Sequence, residues 1–499
     1  MKKMILLLML PLTALMAIEF VMTRDGLVDA ENFETTTPTQ PGVTAPVPST
    51  PSTYLETVNL PACDASNPEV HFINNNSDWS KINDSSKRIF CVSPGDYTAL
   101  GNIRLTRSGT DAKRRYIVLN NGNDTHPGKL NKNQLANFAL DLDGASYWIL
   151  DRIASFDISF SHSFILRNGS SYNIFNRMFT QNIYHTMWIR DKAHYNTIQN
   201  SRFDGITDDG AAADLSTINI AEWGDDIKYF TVFGTKILNN EFVDVKAARC
   251  NRFPAEHLPS GISQVAYFDG TIFDNNIIAT SQKKRTDCQG NFTPNGQCVA
   301  FEAGALSFKA GSENPNNPII VSNNHAWGLK KSDPTYKNLS SPGDFSLAYM
   351  GAKNIIYDNN VIFDSTNGIR FADPYDMPYG SKNIIIKNNL IFNSGQDGTR
   401  PMVMSLGVDN IVKDNVIIQS EGAWADIWIN TNLFCGNNTI INAGDLNVIR
   451  SGYTPNGFET NKIFQTTTQA GYTKDYTFTT DKYTNNPRVI TLPNAVKAN

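Results

Sequence analysis

The sequence has little charge, few cysteines and no long apolar segment. Only 18% of its 499 residues are charged and the formal net charge is -5, which argues against a protein held on nucleic acid or anionic lipid by its overall charge. None of the 6 cysteines belongs to a Cys-x2-Cys pair, so a zinc site of that kind is disfavoured. The apolar run near the N-terminus, 4–17, is shorter than the roughly 20 residues of a membrane span.

The N-terminus has the pattern of an export signal. Lys2 and Lys3 precede the apolar run, and a small-residue cleavage site follows Ala17. Cleavage there gives a secreted, periplasmic or cell-surface protein, although retention of the run as an anchor stays open. The next segment is rich in Thr and Pro, which is typical of an extended tether. The predicted organisation is a signal peptide at 1–17, a linker at 18–57, a folded domain at 58–450 and a C-terminal extension at 451–499 that packs on or caps this domain.

The cysteines suit an exported chain, because disulfides persist in oxidising compartments. Six cysteines allow about 15 pairings. We expect Cys288 and Cys298 to close a short loop, and Cys63 and Cys91 to form a second bond at the start of the folded domain.

Asparagine is the residue in excess, with 56 copies. Its amide competes for backbone hydrogen bonds, so a helical bundle or helical solenoid is disfavoured. Many of these residues end a run rich in Ile, Val, Phe and Tyr, a composition that favours strands. The recurring phrase is TIQNSRF (197–203), KILNNEF (236–242), TIFDNNII (271–278), IIVSNNHAW (319–327), IIYDNNVIF (355–363), IIIKNNLIF (384–392), IVKDNVII (411–418) and FCGNNTII (434–441).

This repeat of short strands that end in Asn predicts an all-β fold, a single-stranded right-handed parallel β-helix with long loops over one face. Each coil buries its apolar side only by stacking on neighbours about 4.8 Å away. Asn suits the sharp bend because it tolerates left-handed backbone angles, and its amide can bond to the Asn of the next coil. A β-sandwich with Asn-rich turns is the alternative.

The Asn phrase also indicates which residues of the preceding strands face outward. Alternation places Leu306 inward and Ser307 and Lys309 outward, and it places Arg190 and Arg370 outward on other strands. Lys309 lies about two coils from Arg370 and three from Arg190, roughly 10 and 14 Å. A basic line on an acidic protein predicts a groove for an extended anion such as an acidic polysaccharide. The alternative is that these side chains serve solubility and edge protection.

One segment, FEAGALSFKAGSENPNNPIIVSNNHAWG at 301–328, resembles the catalytic-lysine strand of the chondroitinase-B and alginate-lyase group of β-helix polysaccharide lyases. It is also similar to the corresponding strand of the pectate lyases of family nine. In both groups that lysine is the base, which here falls on Lys309. The first group has a basic residue one coil later, whereas here the first such arginine is Arg370, two coils on. The pectate lyases use calcium, so Ca2+ is a candidate cofactor here, with Glu302 as a candidate ligand. No other cofactor is expected.

These residues fit β-elimination at a uronic acid, which requires a base and a positive charge that neutralises the carboxylate. Lys309 is the predicted base, Arg370 or Arg190 the carboxylate partner, and His325 or His185 the candidate acid. Further substrate contacts are expected from Ser307, Tyr349, Tyr267, Lys330 and Tyr375, partly from long insertions that flank the same face at 204–216, 246–262, 280–299, 329–344 and 373–382.

Two other functions remain open. A β-helix glycoside hydrolase needs paired carboxylates, for which the candidates are Asp208, Asp209, Glu222, Asp225 and Asp226. A non-catalytic adhesin that binds surface polysaccharide is the third possibility, and the Thr/Pro tether suits it. The favoured interpretation is a secreted, monomeric polysaccharide lyase whose partner is an acidic polysaccharide, without a nucleic-acid partner and without stable membrane insertion once the signal is removed.

Overall fold

The computed structural model of the chain separates into two units, 1–42 and 43–499. In the first unit it describes an antiparallel hairpin, Phe20–Thr23 with Gly26–Asp29. In the second unit the described residues are 52–158, 162–183, 185–205, 217–220, 232–243, 247–250, 268–279, 305–308, 311–328, 344–348, 352–363, 365, 367–371, 381–394, 402–405, 407–419, 427–430, 433–441, 449–450, 455–464, 470 and 476–492.

The second unit consists almost entirely of three long parallel sheets. Sheet 1 contains Val70–Ile73, Ile89–Val92, Arg115–Leu119, Trp148–Asp151, Ile174–Asn176, Thr197–Gln199, Lys236–Leu238, Ile272–Asp274, Ile319–Ser322, Lys353–Asp358, Ser381–Lys387, Gly407–Val408, Ile411–Lys413 and Phe434–Gly436. Sheet 2 contains Gly95–Asp96, Ala136–Asn137, Ala154–Phe156, Phe179–Gln181, Arg202–Asp204, Glu241–Val243, Ile277–Ala279, His325–Trp327, Val361–Phe363, Leu390–Ser394, Val416–Gln419, Thr439–Ile441 and Lys462–Phe464. Sheet 3 contains Asn102–Leu105, Ala139–Asp143, His162–Arg167, His185–Ile189, Ile218–Ile220, Ala248–Cys250, Leu306–Phe308, Asp344–Ala348, Asn367–Phe371, Met402–Ser405, Ile427–Asn430 and Ile449–Arg450.

The order of these strands is that of a coil. The chain passes through sheets 1, 2 and 3 in turn and then returns to sheet 1 beside its previous strand. For example, Ile198 pairs with Ile237, which pairs with Phe273 one coil later. The predicted parallel β-helix is therefore confirmed by the pairing of the strands themselves.

Asparagine marks the bend from sheet 1 to sheet 2, as the repeat predicts. Asn239 and Asn240 join two such strands; Asn239 has a left-handed φ of 54°, and Asn240 is buried. From Asn240 to Asn438, the buried residue of each bend donates its side-chain amide to the Asn of the next coil, which satisfies groups that would otherwise be unpaired inside the protein. This ladder runs through Asn240, Asn276, Asn324, Asn360, Asn389, Asn415, Asn438 and Asn461, with amide–amide distances of 2.9 to 3.1 Å.

The core lies inside the coil and is built from one inward row of each sheet. Phe203 and Phe242 stack with ring centroids 4.8 Å apart, and Phe242 stacks on Phe273 at 5.9 Å. All three rings are almost completely buried. Burial of such side chains contributes about 1.5–3 kcal/mol each, which stabilises a coil that has no apolar partner other than its neighbours.

A short 3-10 helix, Asn76–Lys81, lies at the first coils. Its Trp79 is 3% exposed and its ring lies 5.1 Å from that of Phe138 in the core. The predicted disulfide between Cys63 and Cys91 is present in the structure beside it. The other 3-10 helices described are Thr98–Leu100, Pro127–Lys129, Lys132–Gln134 and Phe458–Thr460.

The C-terminal strands Tyr476–Thr480 and Arg488–Leu492 form an antiparallel hairpin, here called the C-terminal hairpin, on the outer face of sheet 2. Its Phe478 belongs to an apolar cluster with residues of sheet 2 such as Ile277 and Val361. The chain between its strands adds polar contacts, because Arg202 donates to Asp481 at 2.9 Å. The hairpin therefore covers part of sheet 2.

Part of the segment expected to be a linker contacts the solenoid. The Glu56 N–H donates to Gln199 Oε1 at 2.9 Å, and Gln199 Nε2 donates back to the Glu56 carbonyl at 2.9 Å. Lys236 also donates to the Glu56 carboxylate at 2.6 Å. Nowhere in the described ranges is there a helix with the length and apolar character that a membrane span requires.

Candidate functional site

The connections between strands distinguish one sheet from the other two. From Asp151 onward, each passage from sheet 1 to sheet 2 uses only two residues. The long connections border sheet 3 instead, such as those from Ala279 to Leu306 and from Phe308 to Ile319. Because binding and catalytic residues concentrate on loops held by a rigid scaffold, the outer face of sheet 3 is the candidate functional site.

The inward and outward assignments made from the sequence hold on this sheet. Leu306, Phe308, Ile369 and Phe371 are buried in the core. Each pair flanks one residue, Ser307 or Arg370, that points to the opposite side of its strand. Ser307 is 2% exposed, and its hydroxyl has no hydrogen-bond partner within the parts of the chain that the structure describes. Arg370 is half-buried.

The strand register aligns these two residues in one row, here called the outer column. Ser307 pairs with Leu347, and Leu347 pairs with Arg370. Their strands are therefore two spacings apart, roughly 10 Å, as the sequence predicted for the strands. In the other direction the outer column continues through Arg249, Asn219, Trp188 and Ile165.

Arg190 does not share this column. Ile189 and Phe371 occupy the same register position on their strands. Arg190 follows Ile189, whereas Arg370 precedes Phe371, so the two arginines are offset by two residues. The strand that leads to Arg190 is also five spacings from that of Arg370, roughly 24 Å. This separation agrees with the sum of the two spacings expected from the sequence, but the two arginines lie in different columns and cannot hold the same carboxylate. His185 begins the strand before Arg190 and has the same separation from Arg370.

His325 lies elsewhere. It begins a strand of sheet 2, pairs there with Ile277 and Val361, and is 6% exposed. The ring of Phe478 from the C-terminal hairpin contacts it edge-on at 5.0 Å. Burial lowers the pKa of His325 to about 3, and Lys482 lowers it further. His325 is therefore buried on a different sheet from Ser307 and Arg370, and the structure does not bring it together with them.

Several predicted site residues lie outside the described parts of the chain. They are Lys309, Tyr349, Tyr267, Lys330, Tyr375, Glu302, Cys288 and Cys298. Within the described ranges, no group of three or more His, Cys, Asp or Glu side chains could hold a metal ion.

The sequence interpretation missed two residues of the outer column. Arg249 was placed in an insertion, 246–262, but Ala248–Cys250 is a strand of sheet 3 in which Arg249 is in register with Ser307. Trp188 carries no charge, so a search for outward basic residues does not find it. Its outward position nevertheless follows from the same alternation that placed Arg190.

No protein family model matches this sequence, and no curated protein matches it significantly. Solved structures with some likeness include an alginate lyase from Paenibacillus sp. strain FPU-7, with 12% identity, a TM-score of 0.42, and coverage of 74% of this chain and 98% of the other. The catalytic domain of a GH87 alpha-1,3-glucanase in complex with nigerose has 13% identity, a TM-score of 0.42, and coverage of 82% and 70%. A mutant tailspike protein of E. coli bacteriophage HK620, in complex with pentasaccharide, has 10% identity, a TM-score of 0.42, and coverage of 76% and 65%. At these identities and TM-scores the likeness says nothing about activity.

Proposed function

We propose that this chain is a secreted polysaccharide lyase that cleaves an acidic, uronic-acid-containing polysaccharide by β-elimination on the outer face of sheet 3. The observation that carries the proposal is the outer column. Arg370 is held there between two core residues, two strands from Ser307, and the strand of Ser307 ends at Phe308, directly before Lys309. This arrangement would present positive charge to a polymer lying across the strands.

The chemistry assigns one role to each group. Lys309, as a neutral amine, would take the proton beside the carboxylate of the sugar ring. The released electron pair forms a carbon–carbon double bond in the ring while the bond to the glycosidic oxygen breaks. Arg370 would bind the carboxylate and stabilise the negative charge that develops on it, since planar guanidinium groups bind carboxylates in pairs of hydrogen bonds. The departing oxygen then takes up a proton, for which no histidine is assigned.

Arg249 gives the carboxylate a second possible partner. Its register position is one strand from Ser307, whereas that of Arg370 is two strands away on the other side. The two arginines therefore lie on either side of Ser307 in the outer column. The loss of turnover on substitution of each arginine in turn shows which one neutralises the substrate carboxylate.

The test is an incubation of the exported protein with alginate, polygalacturonate and chondroitin sulfate, followed by ultraviolet absorbance. Elimination creates an unsaturated uronate that absorbs, while hydrolysis creates only new reducing ends. We expect Lys309→Ala to abolish turnover and Arg370→Ala to lower kcat/KM by roughly 100- to 1,000-fold, as removal of a group that stabilises developing charge does elsewhere. Arg370→Lys should recover part of this loss, because it restores the charge but not the paired hydrogen bonds.

Exposed basic residues far from Ser307 and Arg370 provide matched controls. Lys382 lies on sheet 1 and its side chain is 58% exposed, and Arg107 is also exposed. Lys382→Ala and Arg107→Ala should leave turnover unchanged. New reducing ends without absorbance would replace the lyase proposal by a hydrolase, and normal turnover by Lys309→Ala would remove the base assignment.

A further inference from the structure

Three side chains form a stack on the outer face of sheet 3, away from Ser307. Two ionisable groups lie against the ring of Trp188. The imidazole of His162 stacks on it at 4.4 Å with an interplanar angle of 23°, and the guanidinium of Arg190 lies 4.0 Å from its centroid. Asp191 forms an ion pair with Arg190, in which a carboxylate oxygen lies 2.9 Å from Nε. His162 and Trp188 belong to two adjacent strands, His162–Arg167 and His185–Ile189, and Arg190 directly follows the second strand.

The stack lies at a fixed distance along the coil from the proposed cleavage position. Trp188 is in the outer column, three strands before Ser307 and five strands before Arg370, or roughly 14 and 24 Å. A sugar ring bound at Arg370 cannot reach it. Only a chain of several sugar residues, lying along the coil axis, can contact both places.

The geometry suits recognition of an acidic sugar. A guanidinium stacked on an indole keeps its plane and its direction, so less freedom is lost when it binds a carboxylate. The Arg190 side chain is 27% exposed and Trp188 is half-buried, which leaves this cluster accessible at the surface of the sheet. The ion pair with Asp191 and the imidazole stacked on the indole further restrict the positions of Arg190 and Trp188.

We propose that Trp188, Arg190 and His162 form a distal subsite that binds an acidic sugar residue several units away from the bond that is cleaved. This inference rests on the proposed function, because it assigns the stack to the same polymer. It reassigns Arg190 from neutralisation of the reacting carboxylate to recognition of polymer length. The enzyme should then favour long chains over short oligosaccharides through binding and not through the chemical step.

The experiment measures kcat and KM of Arg190→Ala and Trp188→Leu on polymeric alginate, polygalacturonate or chondroitin sulfate and on short oligosaccharides of the same polymer. We expect KM for the polymer to rise roughly tenfold or more, as for loss of a charge-assisted hydrogen bond. The value of kcat, and both parameters on oligosaccharides too short to reach the stack, should not change. Arg190→Lys should show an intermediate KM, and Lys382→Ala, on sheet 1, should show none of these effects. Thermal unfolding identifies any variant that fails to fold.

An equal loss of kcat on long and short substrates would overturn the distal subsite and return Arg190 to the chemical step. An unchanged KM for the polymer would also overturn it. Failure of the lyase proposal is recognised separately, because the wild-type protein then forms no unsaturated product. In that case calorimetric titration with the same polymers still decides the subsite: weaker binding by Arg190→Ala supports it, while equal binding, or none by the wild type, overturns it.

Discussion

Mild acid should loosen the C-terminal hairpin, because two histidines are enclosed beneath it. The ring of His126 stacks on that of Tyr483 at 4.4 Å with an angle of 14°. Its Nδ1 accepts the N–H of Gly128 at 3.0 Å, so the proton must be on Nε2, which lies 3.0 Å from the carbonyl oxygen of Asn200. A second proton on Nδ1 would face a donor. This site accepts only the neutral ring.

His325 is the second histidine, and it too is held neutral. It is buried under Phe478, and its Nε2 has no hydrogen-bond partner in the described structure. The charged group that acts on it is Lys482, which has the same sign as a protonated imidazole. A protonated His325 would therefore be a buried cation without a described counter-ion, which is costly.

The direction and size of the effect follow from the pKa values. Burial lowers the pKa of both His126 and His325 to about 3, below the value of about 6.5 expected when the hairpin is detached. The stability of the docked hairpin is therefore greatest above pH 6.5. It falls as the pH falls, by about 1.4 kcal/mol per pH unit for each ring. At pH 5 this amounts to about 2 kcal/mol for each histidine. Burial also raises the pKa of Glu241, whose protonation in the folded state opposes the loss.

Hydrogen exchange of the segment 476–492 at pH 7 and pH 5, corrected for the intrinsic rates, measures this opening. The wild-type protein should lose protection at pH 5, by a factor that corresponds to about 4 kcal/mol if both rings contribute fully. The double variant His126→Gln, His325→Leu removes both titrations and keeps side chains of similar size, so its protection should change little. An equal loss of protection in the wild type and the double variant would refute the role of these histidines.

Two further predictions concern the bends of the coil. In a denaturant titration, Asn324→Ala should lower the free energy of unfolding by about 3 kcal/mol or more, because it leaves several buried partners of that amide unpaired. Asn316→Ala, at an exposed loop position, is the control and should have little effect. Gly234→Ala should destabilise the protein more than Gly122→Ala. Both glycines have a positive φ, which strains any other residue. A Cβ at Gly234 would also lie 2.3 Å from the ring of Tyr195, whereas a Cβ at Gly122 would have no atom within 4 Å. Equal losses for the two glycine variants would show that backbone strain alone determines the cost.

The fold could be predicted because its signal is repeated. From Asn239 onward, each bend between sheets 1 and 2 combines one residue at a left-handed φ with one buried amide that bonds along the coil. Asn can serve both purposes, as Asn239 and Asn240 show. Once these positions are known, alternation assigns neighbours to the core, and Leu306, Phe308 and Ile369 are indeed buried. These inferences needed only local spacing, which the sequence contains.

The candidate site depends on a different quantity, the register between strands separated by insertions of variable length. Alternation correctly placed Arg190 and Arg370 on the outside, but it could not show that one follows and the other precedes residues of the same register, Ile189 and Phe371. Nor could it locate the strand of Arg249 inside a presumed insertion. Because a shift of two residues preserves the outward direction while it changes the column, charge and alternation identify the face of a solenoid but not the side chains that meet on it. The distal position of Arg190 follows instead from the five strand spacings that separate its strand from that of Arg370. This separation is the reason to expect that the protein binds long acidic chains more tightly than short ones through Trp188 and its neighbours.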